Sequence, residues 1–215
     1  MKNTKLPSAQ KVIIYLVVIY IIGIAGMLVE ATKPLFIFLV PINIIGSVTI
    51  ILIYHKIWNK RFIMACLSLC IGGFCIEWIG VKTGSIFGQY EYGTGLGIRL
   101  AGIPIIMGLN WLFLIYGAAA ILTRISHKNW LIALLGAGLM VGYDVFLEPA
   151  AIEYHFWKWA DDEIPIRNYL AWFISAFVFI YFFVVSINYR IKNPVAEAIF
   201  WLQLAFFGCI LLGTI

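Results

Sequence analysis

Seven long apolar runs, separated by short polar or helix-breaking segments, constrain this chain more than any other feature. The runs cover residues 12–29, 35–54, 62–81, 104–123, 130–148, 169–187 and 195–214. Each is close to the roughly 20 apolar residues that a membrane-spanning helix needs and is too long for a barrel strand. The chain of 215 residues is 63% hydrophobic and 12% charged, and a water-soluble fold of this size cannot bury so much apolar surface. We predict an all-α fold, a polytopic membrane helix bundle of about seven transmembrane helices that forms a single integral membrane domain over residues 1–215.

The basic residues predict how this bundle is oriented. Three lysines precede the first run, which is longer than the apolar core of a signal peptide and has no small-residue cleavage site after it, so we interpret it as a retained helix. With the N-terminus inside, ten of the fifteen lysines and arginines lie inside and five outside. The positive-inside rule therefore favours the N-terminus inside and the C-terminus outside. No basic stripe exists, so nucleic acid is excluded as a partner.

The acidic residues are distributed more unevenly than the basic ones. Only Glu197 falls on the predicted inner side. On or near the outer side lie Glu30, Glu77, Glu91, Asp144, Glu148, Glu153, Asp161, Asp162 and Glu163. The positive-inside rule does not concern acids, so this clustering indicates a functional cavity that opens outward.

Three of these acids fall inside or at the ends of apolar runs. A charge in hydrocarbon costs roughly 3 kcal/mol or more, so Glu77, Asp144 and Glu148 are functional candidates. Asp144 and Glu148 are four residues apart and share one helix face. If Glu77 faces the same cavity, repulsion and desolvation leave a protonated acid beside an ionised one, which suits proton transfer. The alternative is that these carboxyls are merely solvated at the membrane interface.

Two connections carry further candidates. Residues 82–103 contain six glycines, with Phe87, Tyr90 and Tyr92 between them. This segment either folds back to cap a pocket or forms an exposed loop anchored by its tyrosines. In the connection 149–168 we interpret Trp157 and Trp159 as part of an interfacial aromatic belt and the acidic triplet 161–163 as solvated loop. Farther on, Asn168 and Trp172 are one turn apart at the start of the sixth helix and are predicted to face the pocket.

Other membrane chemistries lack their residues in this sequence. The three histidines are scattered, which excludes a di-iron oxygenase and a transmembrane haem. The seventh run has no lysine for a retinal Schiff base. The pair Cys66 and Cys70 shares a helix face but has no completing ligand nearby, so we interpret it as helix packing and predict no metal site.

Ordered motifs in the middle of the chain resemble a known family. The first motif runs Glu77-Trp78-Ile79-Gly80-Val81-Lys82-Thr83-Gly84, then Phe87-Gly88-Gln89-Tyr90-Glu91-Tyr92, Gly102-Ile103-Pro104 and Trp111. The second is Asp144 with Glu148-Pro149, and the third comprises Trp157-Lys158-Trp159, Ile164-Pro165, Asn168-Tyr169 and Trp172. Together they resemble the membrane carotenoid-biosynthesis hydratases, the carotenoid 1,2-hydratases of the bisanhydrobacterioruberin hydratase type. The resemblance covers about residues 77–172.

The resemblance implies hydration of the terminal double bond of an acyclic carotenoid end group, giving a tertiary alcohol, in a prokaryotic inner membrane. The implied substrates are lycopene, gamma-carotene or a bisanhydrobacterioruberin-like carotenoid, with water; membrane lipid and other carotenoid-pathway enzymes are the implied partners, and no cofactor is needed. We predict Asp144 as proton donor, with Glu77 and Glu148 as base or water-positioning groups whose roles are exchangeable. The predicted substrate-binding residues are Tyr90, Tyr92, Trp111, Tyr143, Asn168 and Trp172. The aromatic faces of Tyr90, Tyr92, Trp111 and Trp172 stabilise a carbocation by about 2 kcal/mol each when desolvated.

Two alternatives remain open at this stage. A lycopene-cyclase-like enzyme also begins by protonating the end group, but a double bond of the substrate captures the cation instead of water. A non-catalytic membrane protein that binds or transports lipid also explains polar residues within helices. It does not explain why three carboxyls and several aromatic residues lie toward one side.

Overall fold

The computed structural model describes residues 6–214. This part of the chain contains seven α-helices that are long and apolar enough to cross a membrane. They are α1 (Ala9–Leu28), α2 (Lys33–Ile53), α3 (Lys60–Thr83), α4 (Ile106–Ile125), α5 (Asn129–Glu153), α6 (Ile166–Ile187) and α7 (Pro194–Thr214). The predicted all-α polytopic bundle is therefore confirmed, while its orientation in the membrane stays a prediction. The largest departure from the predicted bounds is α5, which continues through Pro149 to Glu153.

Helix α4 forms the centre of the bundle. It packs against α2, α3, α5, α6 and α7, and it is buried along almost its whole length. Small side chains allow this, because membrane helices associate by close packing rather than by the hydrophobic effect. A Cβ atom at Gly108 would lie 2.4 Å from the backbone oxygen of Cys70 on α3, and one at Gly73 would lie 2.5 Å from Cβ of Trp111. The glycines thus bring α3 and α4 close together at the level of Trp111.

The connections α3–α4 and α5–α6 contain short strands that the sequence analysis did not predict. The strands are β1 (Tyr90–Tyr92), β2 (Arg99–Leu100), β3 (Ile103–Pro104) and β4 (Trp157–Trp159), with a turn of 3-10 helix at Thr94–Leu96. β2 and β3 form a hairpin. β1 pairs antiparallel with β4, so that Tyr90 lies opposite Trp159 and Tyr92 opposite Trp157. We call this two-stranded sheet the cap, and the end of the bundle that carries it the capped end.

Two glycines allow the two connections to approach each other. Gly88 has φ of +123°, and a Cβ atom there would lie 2.7 Å from Pro165 of the α5–α6 connection. A Cβ atom at Gly93 would lie 1.8 Å from the backbone oxygen of His155. Only glycine fits such positions without displacing the backbone. The glycine-rich segment is therefore folded onto its neighbour, and the alternative of an exposed loop is wrong for β1.

The opposite end of the bundle is tied together by a network around His55, which follows α2. The His55 Nδ1 atom lies 2.7 Å from the Tyr116 hydroxyl, and Nε2 lies 2.9 Å from the Ile57 carbonyl and 3.0 Å from the Tyr189 hydroxyl. Asn193 donates a hydrogen bond to the same Tyr116 hydroxyl at 3.1 Å. Burial lowers the pKa of His55, against a smaller opposing effect of the Ile57 carbonyl. The ring is therefore neutral in the folded protein at neutral pH.

We expect His55 to make the stability of the protein depend on pH. As the pH falls through the ordinary histidine pKa of 6.5, the unfolded chain gains a proton that the folded chain does not bind, so stability decreases. The thermal unfolding midpoint in detergent should therefore fall more between about pH 7.5 and about pH 5.5 for the wild type than for His55→Gln. Identical pH profiles of the two proteins would contradict this role of His55.

Candidate active site

The first buried carboxyl at the capped end is Glu77 of α3, which is 3% exposed. The hydroxyls of Tyr90 and Tyr92 each donate a hydrogen bond to its Oε2 atom at 2.6 Å. The indole N–H of Trp111 donates to Oε1 at 2.8 Å. All three partners are donors, and an ionised carboxylate is the form that accepts from all of them. Burial raises the pKa of both cap tyrosines well above the usual range, and the Glu77 charge adds to this, so both phenols remain protonated donors.

The second buried carboxyl is Glu148 of α5, which is 2% exposed. Its Oε2 atom accepts hydrogen bonds from the indole N–H groups of Trp157 at 3.0 Å and Trp159 at 2.9 Å. Its Oε1 atom accepts from the Asn168 amide at 3.1 Å. Glu148 therefore also has three donors and no acceptor among its partners. Strand β4 alternates its side chains, which directs both tryptophans to the buried face and leaves Lys158 exposed.

Asp144 lies one turn from Glu148 on the same face of α5 and is fully buried. The Asn168 amide donates to its Oδ2 atom at 2.8 Å, so one amide group links the two acids. No residue in the range 6–214 forms a hydrogen bond to Oδ1. A buried oxygen without a donor disfavours a negative charge, because the lost hydration is not replaced. The neutral acid is therefore the form that fits Asp144, in contrast to Glu77 and Glu148.

The carboxyls adjoin a small chamber with aromatic walls. Glu77 and Glu148 line it, together with Phe87, Tyr90, Tyr92, Met107, Trp157, Trp159, Asn168 and Trp172. The rings of Trp111 and Trp172 stack with centroids 4.8 Å apart, beside the same carboxyls. The chamber volume is about 20 Å³, which is room for roughly one water molecule. Asp144 does not line this space.

The structure brings together eight of the nine side chains that the sequence analysis named for the site. Glu77, Asp144 and Glu148 converge, and Tyr90, Tyr92, Trp111, Asn168 and Trp172 contact them or line the chamber. Tyr143 points to the other side of α5. Its ring packs against Phe200 and Phe207 of α7, each with centroids 5.6 Å away, and it lines a neighbouring cavity.

Two residues that donate hydrogen bonds to the site carboxyls were missed from the sequence, as were Phe87 and Met107 of the chamber lining. Trp157 and Trp159 were interpreted as an interfacial belt, and this is wrong, because both indoles are buried and bonded to Glu148. The spacing Trp-Lys-Trp is a signal for a strand with both tryptophans on one face, and it could have indicated the cap. The acidic triplet 161–163 is exposed, as expected for a solvated loop. Among residues 6–214, no three His, Cys, Asp or Glu side chains are grouped so as to hold a metal ion.

The fold and the site together define a polytopic membrane bundle with buried carboxyls under an aromatic cap. The chain belongs to the carotenoid biosynthesis protein family, whose model matches residues 12–215. This confirms the resemblance found in the sequence motifs.

A curated relative adds to this assignment. The chain is 27% identical over 139 residues to a protein from Haloarcula japonica named bisanhydrobacterioruberin hydratase. The alignment covers 58% of this chain and 45% of the relative, so the chain spans less than half the length of the curated protein it matches. No solved structure matches the chain.

We expect the cap hydroxyls to stabilise the fold through Glu77. Tyr92→Phe removes one donor from a buried carboxylate, and a hydrogen bond to a charged group contributes about 1.5–3 kcal/mol. The variant should have a lower unfolding midpoint than the wild type in detergent. Tyr181→Phe is the matched control, because Tyr181 is 44% exposed on α6. Equal midpoints for Tyr92→Phe and Tyr181→Phe would exclude this contribution.

Proposed function

We propose that the protein is an enzyme that hydrates the terminal double bond of an acyclic carotenoid end group, forming a tertiary alcohol. The observation that carries the proposal is the convergence of three carboxyls beside a small aromatic chamber. Two of these carboxyls have only hydrogen-bond donors as partners. Membership of the carotenoid biosynthesis family and the name of the Haloarcula japonica relative support the substrate class. The open-chain carotenoids named from the sequence, lycopene among them, are the substrates we propose.

The three carboxyls differ in ways that suit the first step. Asp144 fits the neutral acid, and Asn168 links it to Glu148 through one amide group. Because Glu148 lines the chamber and Asp144 does not, the proton of Asp144 first moves directly to the neighbouring Glu148 carboxylate, and Glu148 then delivers it to the substrate. Asn168 holds the two acids side by side and does not itself carry the proton. Protonation of the end double bond forms a new C–H bond and leaves a tertiary carbocation. The acid pair then carries one more negative charge, which stabilises that cation.

The chamber supplies the groups for the second step. The carbocation lies among the faces of aromatic rings, each of which stabilises a cation by about 2 kcal/mol where water is excluded. Glu77, on the opposite helix α3, accepts only hydrogen bonds and acts as the base. A water molecule in the chamber attacks the cation, forming the C–O bond, and loses its proton to Glu77. Return of that proton to the Asp144–Glu148 pair restores the enzyme, so one water is consumed and no redox change occurs.

A cyclase-like enzyme would use the same protonation but would capture the cation with a double bond of its own substrate. The chamber volume of about 20 Å³ leaves room for roughly one water molecule, and in the proposed reaction this water captures the cation of an end group at the chamber boundary. The two outcomes differ in product mass. Hydration adds one water to the carotenoid, whereas cyclisation gives an isomer of unchanged mass.

We expect Asp144→Asn, Glu148→Gln and Glu77→Gln each to reduce hydration by at least about 100-fold, because general acid–base catalysis contributes roughly 10²–10⁴-fold. The measurement is liquid chromatography with mass spectrometry of pigments from lycopene-producing cells that express each variant. Glu91→Gln is the matched control, because Glu91 lies in the cap but is exposed, and it should retain wild-type activity. Full hydration by Asp144→Asn would remove Asp144 from the proton path, and a wild type that leaves lycopene unchanged would refute the proposed reaction.

A further inference from the structure

The carboxyl chamber is too small to hold a carotenoid end group together with its chain, so the rest of the substrate needs space elsewhere. Within the described residues, one apolar cavity adjoins the chamber, and a second adjoins the first. The first is the cavity lined by Tyr143, and it shares Met107 and Trp157 with the carboxyl chamber. We call it the middle cavity; its volume is about 40 Å³.

The second is a larger groove between α1, α2 and α7, with a volume of about 140 Å³, which we call the side groove. It shares four lining residues with the middle cavity: Val40, Phe156, Gln203 and Phe207. Side groove, middle cavity and carboxyl chamber therefore lie next to one another in a row, with these shared side chains between them. At α1 the side groove extends from Ile19 to Met27, which at 1.5 Å per residue is about 12 Å.

We propose that the side groove and the middle cavity are the binding site of the polyene chain, which enters sideways from the lipid between α1, α2 and α7. This inference rests on the proposed function for the identity of the ligand. The end group then lies at the boundary formed by Met107 and Trp157, with the carboxyl chamber on the other side. Tyr143, whose ring packs against α7 rather than beside the carboxyls, contacts the substrate from the middle cavity.

The lining of the side groove fits a long apolar chain. Phe36, Phe156, Phe206 and Phe207 supply aromatic walls, and the polar residues on its wall are few. The groove extends from the middle of α1 and α2 toward the capped end. It therefore lies at the same depth in the bundle as the middle cavity, which adjoins the carboxyl chamber. A polyene in this position buries its chain against rings and keeps only its reactive end near acids. The buried Gln203 Oε1 atom forms no hydrogen bond with residues 6–214 and lies where groove and middle cavity meet.

Gly23 offers a way to fill the side groove without displacing the backbone. A Cβ atom there would lie 3.4 Å from the nearest atom of Phe206, which is ordinary contact. Gly23→Leu therefore places a branched side chain in the space proposed for the polyene. Gly46→Leu is the matched control, because Gly46 lies on α2 with nothing within 4 Å of its Cβ position and outside both cavities. Val40→Phe fills the same space from another helix and serves if Gly23→Leu does not fold.

The test measures lycopene that copurifies with the detergent-solubilised protein, by visible absorbance per mole of correctly eluting protein. We expect the wild type, Asp144→Asn and Gly46→Leu to retain pigment. Gly23→Leu and Val40→Phe should retain roughly tenfold less, because the added side chain displaces several buried carbon atoms of the ligand. Hydration of lycopene should fall in parallel for these two variants.

The possible failures separate the two proposals. A wild type that binds lycopene but does not hydrate it refutes the reaction and leaves the binding site standing. Wild-type pigment content in Gly23→Leu or Val40→Phe overturns the binding site, whatever the reaction. A wild-type protein that copurifies with no pigment also overturns the proposed binding site. A loss of copurifying phospholipid rather than pigment from Gly23→Leu would show that the groove holds membrane lipid and would overturn the inference.

Discussion

Buried carboxylates need hydrogen-bond donors that a lipid environment does not provide, and this need organises the capped end of the protein. Glu77 and Glu148 obtain four of their six donors from two connections that are far apart in sequence, through Tyr90 and Tyr92 in one and Trp157 and Trp159 in the other. Pairing of β1 with β4 holds these four side chains over the acids. Without the acids, the buried hydroxyl and indole N–H groups of the cap would have no hydrogen-bond acceptor. Without the cap, Glu77 and Glu148 would be buried charges that lack most of their donors.

The three carboxyls are alike in residue type but differ in their partners, and the proposed chemistry depends on that difference. Six donors are divided between Glu77 and Glu148, and Asp144 shares one amide with its neighbour. If all three carboxyls had equal numbers of hydrogen-bond donors, none would be favoured in the protonated form that donates a proton to a double bond. The unequal supply separates a neutral acid from two anions, which is the usual way in which one set of carboxyls provides both acid and base.

The rigidity of the site comes from helix packing around α4. Gly73 and Gly108 let α3 approach α4 closely enough for Trp111 to reach Glu77, while the network around His55 joins the opposite ends of α2 and α7 to Tyr116 in the middle of α4. The side groove lies instead where α1, α2 and α7 meet, at the periphery of the bundle. In the proposed function, the packed carboxyls at the centre act as the acid–base site and the peripheral groove is the route for the substrate.

The sequence by itself determined the seven helices, because a run of about 20 apolar residues has one stable form in a membrane. It also indicated Glu77, Asp144 and Glu148, since charge within such runs is costly and therefore unusual. It did not determine the roles of Trp157 and Trp159, because tryptophan at the end of a membrane helix is equally typical of an interfacial belt. Only the tertiary structure decided this, because the partner of each indole depends on how two distant connections pair. Tyr143 differs, since neighbouring residues on a helix point about 100° apart and this spacing already separates it from the face of Asp144 and Glu148; the tertiary structure decided only that its ring packs against α7.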